Sequence, residues 1–560
     1  MQKGGEFNRV TFSAKPEFAA LVNETFVKLI TGLHDAFHDR ILGIREERIN
    51  SINNALNGRR EFRSVNSPND SESHWKIPDL PDELKNPGIE ISGPAHVTPM
   101  FINALNPGPD GYRAEGYLDD DEDSASHRLD DSFLAAVNRT NAIDRTLKYQ
   151  DKEKNKIYTI VDGKTPFFMH RERGLHLDEK DFRIDGVPVS ATLLSTALTL
   201  FYAGQAQAAY GQGIYFYLPK TESPQESALY KDIFDECRNR IDGLQKASIK
   251  AILLVESLPM VYCMEESLYQ LGDYGAGLNA ARWDLKASLL EYAMADANAV
   301  WPDRFGVDIK STPFIANIFR RLIAICNKRS AVPIGGMATT LPHRNQKINK
   351  QASEAIRLDK QWESEEGFVR AWVAHIYHMS AAAEPFKQFP KSSNFIQENS
   401  DPEKYPVKIE TPNGDLTMEC TRQNARVLIE YVEGWLNGRG AKGIDRLAGR
   451  PGERPALMED LATARMSVAQ IAQRLVHQAK CEETGQTHDP NIVTNLLVNE
   501  CEDIILNLGK DAKGTDISRY KHAMNISMKW IKNYTEFDFR SLGTYSLNEL
   551  KHIGSEDQKL

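Results

Sequence analysis

The chain has 560 residues, 41% hydrophobic and 26% charged, with 68 basic against 78 acidic side chains and a formal net charge of -10. This composition excludes a disordered, collagenous or coiled-coil chain, and it supplies no overall positive field for a phosphate backbone, so no nucleic acid is expected as a partner. The six cysteines form no CxxC pair, the N-terminus is not signal-like, and no run reaches about 18 apolar residues; together these features predict a cytoplasmic protein that does not enter a membrane.

Phe18, Leu21, Val22, Phe26, Leu29, Ile30 and Leu33 recur at three- and four-residue spacing behind Pro16, which predicts a helical piece from 16 to about 57. The polar, Pro-containing stretch 59 to 86 reads as an extended connection. From 88 to 375 short apolar runs, IYTIV (157 to 161), IYFYL (214 to 218) and AILLV (251 to 255), alternate with helix-length segments around 191 to 208, 224 to 246 and 312 to 328. That rhythm, without strict polar alternation, predicts a parallel sheet buried on both faces. Polar residues gather at the ends of the runs: Arg171 after PFFMH, Glu256 after AILLV, and Glu459 with Asp460 after PAL. In an eight-stranded barrel that end builds the active site. A helix over 421 to 437, the Gly/Pro-rich NGRGAKGIDRLAGRPGERP and helical patterns over 467 to 535 complete the chain.

The acidic run Asp119, Asp120, Asp121, Glu122, Asp123 has two readings, a metal neighbourhood or a solvated loop, and it lacks the EF-hand spacing. Arg171, Arg173 and His176 follow a strand candidate, where an arginine suits a carboxylate or a developing oxyanion. Glu256 ends a buried strand candidate and Asp284 follows 28 residues later, the span of one β/α turn. Buried strand-end carboxylates are costly unless paired or metal-bound, and magnesium needs only one or two of them. The alternative is a helix cap for Asp284 and a salt bridge for Glu256. The His34/His38 and His375/His378 pairs lack a neighbouring Cys or a HExxH glutamate, so zinc is not expected.

An ordered series of blocks carries a family resemblance: GIEISGP (88 to 94), INALN (102 to 106), EDS (122 to 124), RERGLHL (171 to 177), GIYFYLPKTESPQE (213 to 226), VESLP (255 to 259), AGLNAARWD (276 to 284), GGM (335 to 337), WVAH (372 to 375) and LMEDLATARMS (457 to 467). Across nearly its whole length the chain resembles malate synthase of the A-type. The resemblance implies a TIM (β/α)8 barrel with an N-terminal helical clasp and linker (1 to 86), a catalytic domain (87 to 465) and a C-terminal helical domain (466 to 560). It implies Mg2+ as cofactor, acetyl-CoA and glyoxylate as substrates, and a Claisen condensation followed by hydrolysis to malate and CoA. Matched motif by motif, Asp460 is the general base, Arg171 stabilises the enolate, Glu256 and Asp284 hold magnesium, and the backbone around Arg282, Trp283 and Asp284 receives the glyoxylate carboxylate. Asp120, Glu122 and Asp123 become candidates for orienting Arg171 or metal-bound water.

The chain departs from the family pattern around a retained core. Glu172 and Leu175 stand where proline and tryptophan are usual; Ala280, Ala281, Leu285, Lys286 and Ala287 surround the kept Arg-Trp-Asp. Asn327, Lys328, Ile376, Arg465 and Val468 are further changes, with Ile376 in place of a proline of the coenzyme A loop and Arg465 in place of a common glutamate. Two other functions therefore stand beside malate synthase: a related magnesium-dependent Claisen-type enzyme or lyase for another acyl-CoA or 2-oxo acid, and a non-catalytic homologue.

Overall fold

The computed structural model describes residues 8–14, 16–59, 74–309, 311–389, 392–445, 454–508 and 514–560. Half of the connection expected over 59 to 86 (60–73) and part of the Gly/Pro-rich stretch (446–453) lie outside the described residues. The chain divides into two compact units, the first drawn from 1–48, 63–281 and 320–404 and the second from 49–62, 282–319 and 405–560.

The first unit is a closed barrel of eight parallel strands: β1 (Gly88–Gly93), β2 (Gly116–Asp120), β3 (Phe167–Arg171), β4 (Ile214–Leu218), β5 (Ile249–Val255), β6 (Gly275–Ala280), β7 (Val332–Ala338) and β8 (Arg370–Val373). The strands pair in chain order and β8 closes on β1. Every residue of β4 is buried, as is all of β5 except its second, as expected of strands covered on both faces. The turns that follow are tightly specified. Ser223 caps the helix Pro224–Arg240 by accepting from Glu226 N at 3.3 Å, and Ser257 caps Leu258–Gln270 by accepting from Met260 N at 3.3 Å. Each cap precedes a proline in the first helical turn, where its missing N–H costs nothing. Glu256 is thus the single residue between the end of β5 and a helix cap, which leaves it at the C-terminal end of the barrel. Helix α1 (Glu24–Leu56) provides the expected N-terminal helix, and α2 (Leu129–Ile143) follows the acidic run.

Two expectations are corrected. IYTIV is not a barrel strand: Lys156–Thr159 forms a hairpin with Lys148–Asp151, and Ile157 is 65% exposed. Charged residues, Lys156 and Asp162, flank this short run, and the helix Thr98–Leu105 that packs against the hairpin leaves Ile157 in solvent. The run before Asp460 also lies outside the barrel, since Leu457–Glu459 pairs antiparallel with Lys442–Ile444.

The second unit contains α3 (Arg282–Tyr292), α4 (Leu461–Val476) and α5 (Gly514–Thr535), together with the helices Met418–Leu436 and Pro490–Asn507. Among the described residues no helix is long and apolar enough to cross a membrane. All six cysteines are buried free thiols.

Candidate active site

Strand alternation sorts the acidic run. In β2 the side chains of Asp119 and Asp120 leave opposite faces, and the register sets Asp119 beside His170 and Asp120 beside Arg171 of β3. On the outer face Asp119 accepts from His170 Nδ1 at 2.8 Å and pairs with Arg139 of α2, whose Nη2 also lies 2.7 Å from Asp121. On the inner face Arg171 donates Nε and Nη2 to the two Asp120 oxygens at 2.7 and 2.6 Å, and its Nη1 lies 3.1 Å from Asp123 Oδ2. Glu122 Oε2 accepts from Gly174 N at 2.8 Å. None of the five acids is more than 4% exposed, so the solvated-loop reading is overturned: each carboxylate is taken from water and given a partner.

Asp120 also folds the turn that follows it, accepting from Glu122 N at 3.1 Å, Asp123 N at 3.0 Å and the Ser124 hydroxyl. Burial pushes its pKa up, but Arg171 and these donors outweigh burial and hold the group below its ordinary value. Arg171 is correspondingly held well above its ordinary value: burial lowers it, and Asp120, Asp123 and Glu256 overcome that. The floor beneath Arg171 is built from side chains that cross the barrel. Glu90 of β1 accepts from Tyr217 of β4 at 2.8 Å and from Trp372 Nε1 of β8 at 3.2 Å, and the Arg171 guanidinium lies 5.5 Å from the Trp372 ring centroid.

Lys220, two residues beyond β4, ties the remaining acids together. Its Nζ lies 3.0 Å from Asp123 Oδ1 and 3.5 Å from Glu122 Oε1, while its backbone N–H donates to Glu256 Oε1. It adopts φ 50, a left-handed conformation that is strained for a residue with a Cβ. Asp123 and Glu256 offer carboxylate oxygens within 4.8 Å of each other. Arg171 and Lys220 stand against Asp120, Glu122, Asp123 and Glu256, all buried. Asp123 and Glu256 thus bring buried carboxylate oxygens together beside two fixed cations. Clustered hard oxygen donors of this kind fit a magnesium ion.

The other expected residues belong to the second unit. Arg282, Trp283 and Asp284 open α3, with Asp284 four residues after the end of β6. Asp284 is 2% exposed, and its Oδ1 accepts from Arg465 Nη1 at 2.8 Å. The Trp283 ring has Lys286 Nζ 4.3 Å and the Arg304 guanidinium 4.7 Å from its centroid. Burial, then Arg282 and Arg304, bring Lys286 down to about 7. Asp460 is the N-cap of α4: its Oδ1 accepts from Thr463 N at 3.0 Å, and Asp460 N donates to Thr463 Oγ1 at 2.9 Å, a reciprocal box that fixes the carboxylate's direction.

The structure gathers Asp120, Glu122, Asp123, Arg171 and Glu256 at one end of the barrel. Sequence reasoning missed Lys220, although it obeys the rule that selected Glu256, a polar residue just past a buried strand. It also missed the Glu90–Tyr217–Trp372 floor, whose members sit inside strands where no terminal position marks them.

An eight-stranded parallel barrel whose C-terminal end holds a clamped arginine beside clustered, buried carboxylates defines a TIM-barrel enzyme with a magnesium site. The malate synthase TIM-barrel family model matches residues 167–410, and the malate synthase C-terminal model matches 415–547. The chain is 32% identical over 471 residues to malate synthase of Myxococcus xanthus, covering 84% of this chain and 83% of that protein. It is 32% identical over 480 residues to malate synthase A of Escherichia coli, covering 85% and 86%. To malate synthase of Streptomyces clavuligerus it is 30% identical over 548 residues, covering 96% and 97%. The chain belongs to the malate synthase family, and its chemistry is the Claisen condensation of that family, between an acyl-CoA and a 2-oxo acid.

Proposed function

We propose that the acyl-CoA is acetyl-CoA and the 2-oxo acid glyoxylate, so that the enzyme releases malate and free CoA. In this reading Asp460 takes a methyl proton of the acetyl group, and Arg171 receives the negative charge that develops on the thioester oxygen. The enolate carbon then bonds to the aldehyde carbon of glyoxylate, and water cleaves the thioester. The backbone at Arg282, Trp283 and Asp284 holds the glyoxylate carboxylate at a helix N-terminus. Glu256 and Asp284 hold magnesium, with Asp123 beside Glu256; when bound, the ion supplies Lewis acidity to the aldehyde.

The observation that carries the reading is the clamp on Arg171. Both of its faces of donors are fixed by Asp120 and Asp123, in direct reach of the field of Glu256. A carboxylate is a weak base toward a thioester methyl group, so the burden falls on a pre-oriented cation that lowers the enolate's energy without reorganising. The six buried thiols support a reducing, cytoplasmic setting.

The test is a glyoxylate-dependent release of CoA thiol from acetyl-CoA in the presence of magnesium, with malate identified as product. The altered surroundings of the site, Leu175, Lys286 and Arg465, favour one second reading, a Claisen-type enzyme for another acyl-CoA or 2-oxo acid. Absence of product from acetyl-CoA and glyoxylate, with turnover of a different pair in the same assay, assigns the enzyme to that second reading.

A further inference from the structure

The changed residue Arg465 sits on a carboxylate that the proposed function assigns to the metal. Asp284 and Glu291 are seven residues apart on α3, two helical turns, and so share one face. From α4, Arg465 spans both: Nη1 donates to Asp284 Oδ1 at 2.8 Å, Nε donates to Glu291 Oε1 at 2.8 Å, and Nη2 donates to Glu291 Oε2. Tyr534 of α5 donates its hydroxyl to Glu291 Oε1 at 2.8 Å. Asp284 is 2%, Glu291 3% and Tyr534 0% exposed, and the Arg465 side chain 18%, so the group lies largely out of water, where charges act on each other with reduced screening.

We propose that Arg465 is a positioning residue for Asp284 and a fixed counter-charge that sets how tightly the site holds its divalent cation. This rests on the reading of Asp284 as a ligand. The fork engages Oδ1 of Asp284 and ties the carboxylate, through Glu291, to two other helices, so its orientation does not depend on a bound ion. The same guanidinium opposes the ion's charge. Glu291 moderates that opposition by sharing the guanidinium, leaving the three groups with one net negative charge. Arg465 and Glu291 therefore act on the cation with opposite signs, although both are partners in one network and a purely structural role would make their loss act in the same direction.

The experiment measures Mn2+ binding to the full chain without substrates, by the loss of the free-ion resonance signal, for the parent and the variants R465Q, R465K, E291Q and D284N. The expected result is binding about tenfold tighter in R465Q and about tenfold weaker in E291Q, with R465K within about twofold of the parent because the charge is kept. Weaker or unchanged binding in R465Q overturns the proposal, as does unchanged or tighter binding in E291Q, or R465K binding as tightly as R465Q is expected to. If R465Q fails to fold, judged by its far-ultraviolet circular dichroism and melting, E291Q and R465K decide the matter. D284N tests the underlying reading separately: parent-like binding in that variant removes Asp284 from the ligand set, whereas lost binding in D284N with parent-like R465Q and E291Q leaves the ligand and discards the counter-charge.

Discussion

The two bonds from Arg171 to Asp120 are parallel N–H donors to one carboxylate, and a third donor group reaches Asp123. A lysine at 171 keeps the charge and loses the planar fork, so it cannot hold both acids in place. R171K is expected to lower kcat by about 100-fold while changing KM for the acyl-CoA far less; steady-state kinetics check this, and an unaltered kcat removes Arg171 from the enolate. At this scale much of the site was legible in the sequence, because Arg171 and Glu256 are charged residues at the ends of otherwise apolar runs. What was not legible was the partner of each acid. Five consecutive acidic letters look alike, and only the strand's alternation and the position of α2 decide that Asp119 meets Arg139 while Asp120 meets Arg171.

At the scale of elements, the strands that could be read were those made largely of bulky apolar residues, β3, β4 and β5. β1, β2, β6 and β7 were not, since GIEISG, GYLDD, GAGLNA and VPIGGMA contain glycines, acids and a proline that lower strand preference. Closure of the barrel buries them regardless: Gly277 lies so close to Val332 that an added Cβ would stand 2.1 Å from its carbonyl oxygen. Packing thus requires the very residues that hide the strand. The N-terminus of α4 is the element whose geometry bears most directly on chemistry. Thr463 closes the box around Asp460, and T463A is expected to cost about 1 kcal/mol of stability, the usual value of a lost cap interaction. If Asp460 is the base, the same change lowers kcat more than KM, because the Asp460 backbone N–H loses its acceptor and the residue that carries the carboxylate is held less firmly for proton transfer. Denaturant unfolding and kinetics on one sample check both parts; a stability loss with unchanged kcat separates the cap from the chemistry.

The whole molecule carries its acidic excess partly inside. Glu172, the residue found where the family usually has proline, is buried beside Arg139 and takes a hydrogen bond from the Thr199 hydroxyl. Burial pushes its carboxyl up from an ordinary 4.5 to about 7, with Arg139 opposing. A carboxyl raised on folding binds its proton more tightly in the native state than in the unfolded chain. Its contribution is therefore fully present below pH 4.5 and is lost as pH rises through about 7. E172Q is expected to remove this downward slope between those values, measured by urea unfolding at a series of pH; parallel curves for parent and variant refute it. The overall plan, a barrel with helical flanks, was legible from the order of motifs. The interleaving of the two units was not, because 282–319 joins the second unit from the middle of the chain, and nothing in local composition marks that departure.

The acidic run that begins in β2 has a consequence for how this protein tolerates change. Asp119 and Asp121 answer to Arg139, a helix residue, whereas Asp120 and Asp123 answer to Arg171. One stretch of near-identical residues therefore carries two interleaved messages, one addressed to the scaffold and one to the reaction. Neighbours that look interchangeable in the sequence are not redundant copies, and none of these four can stand in for the residue beside it.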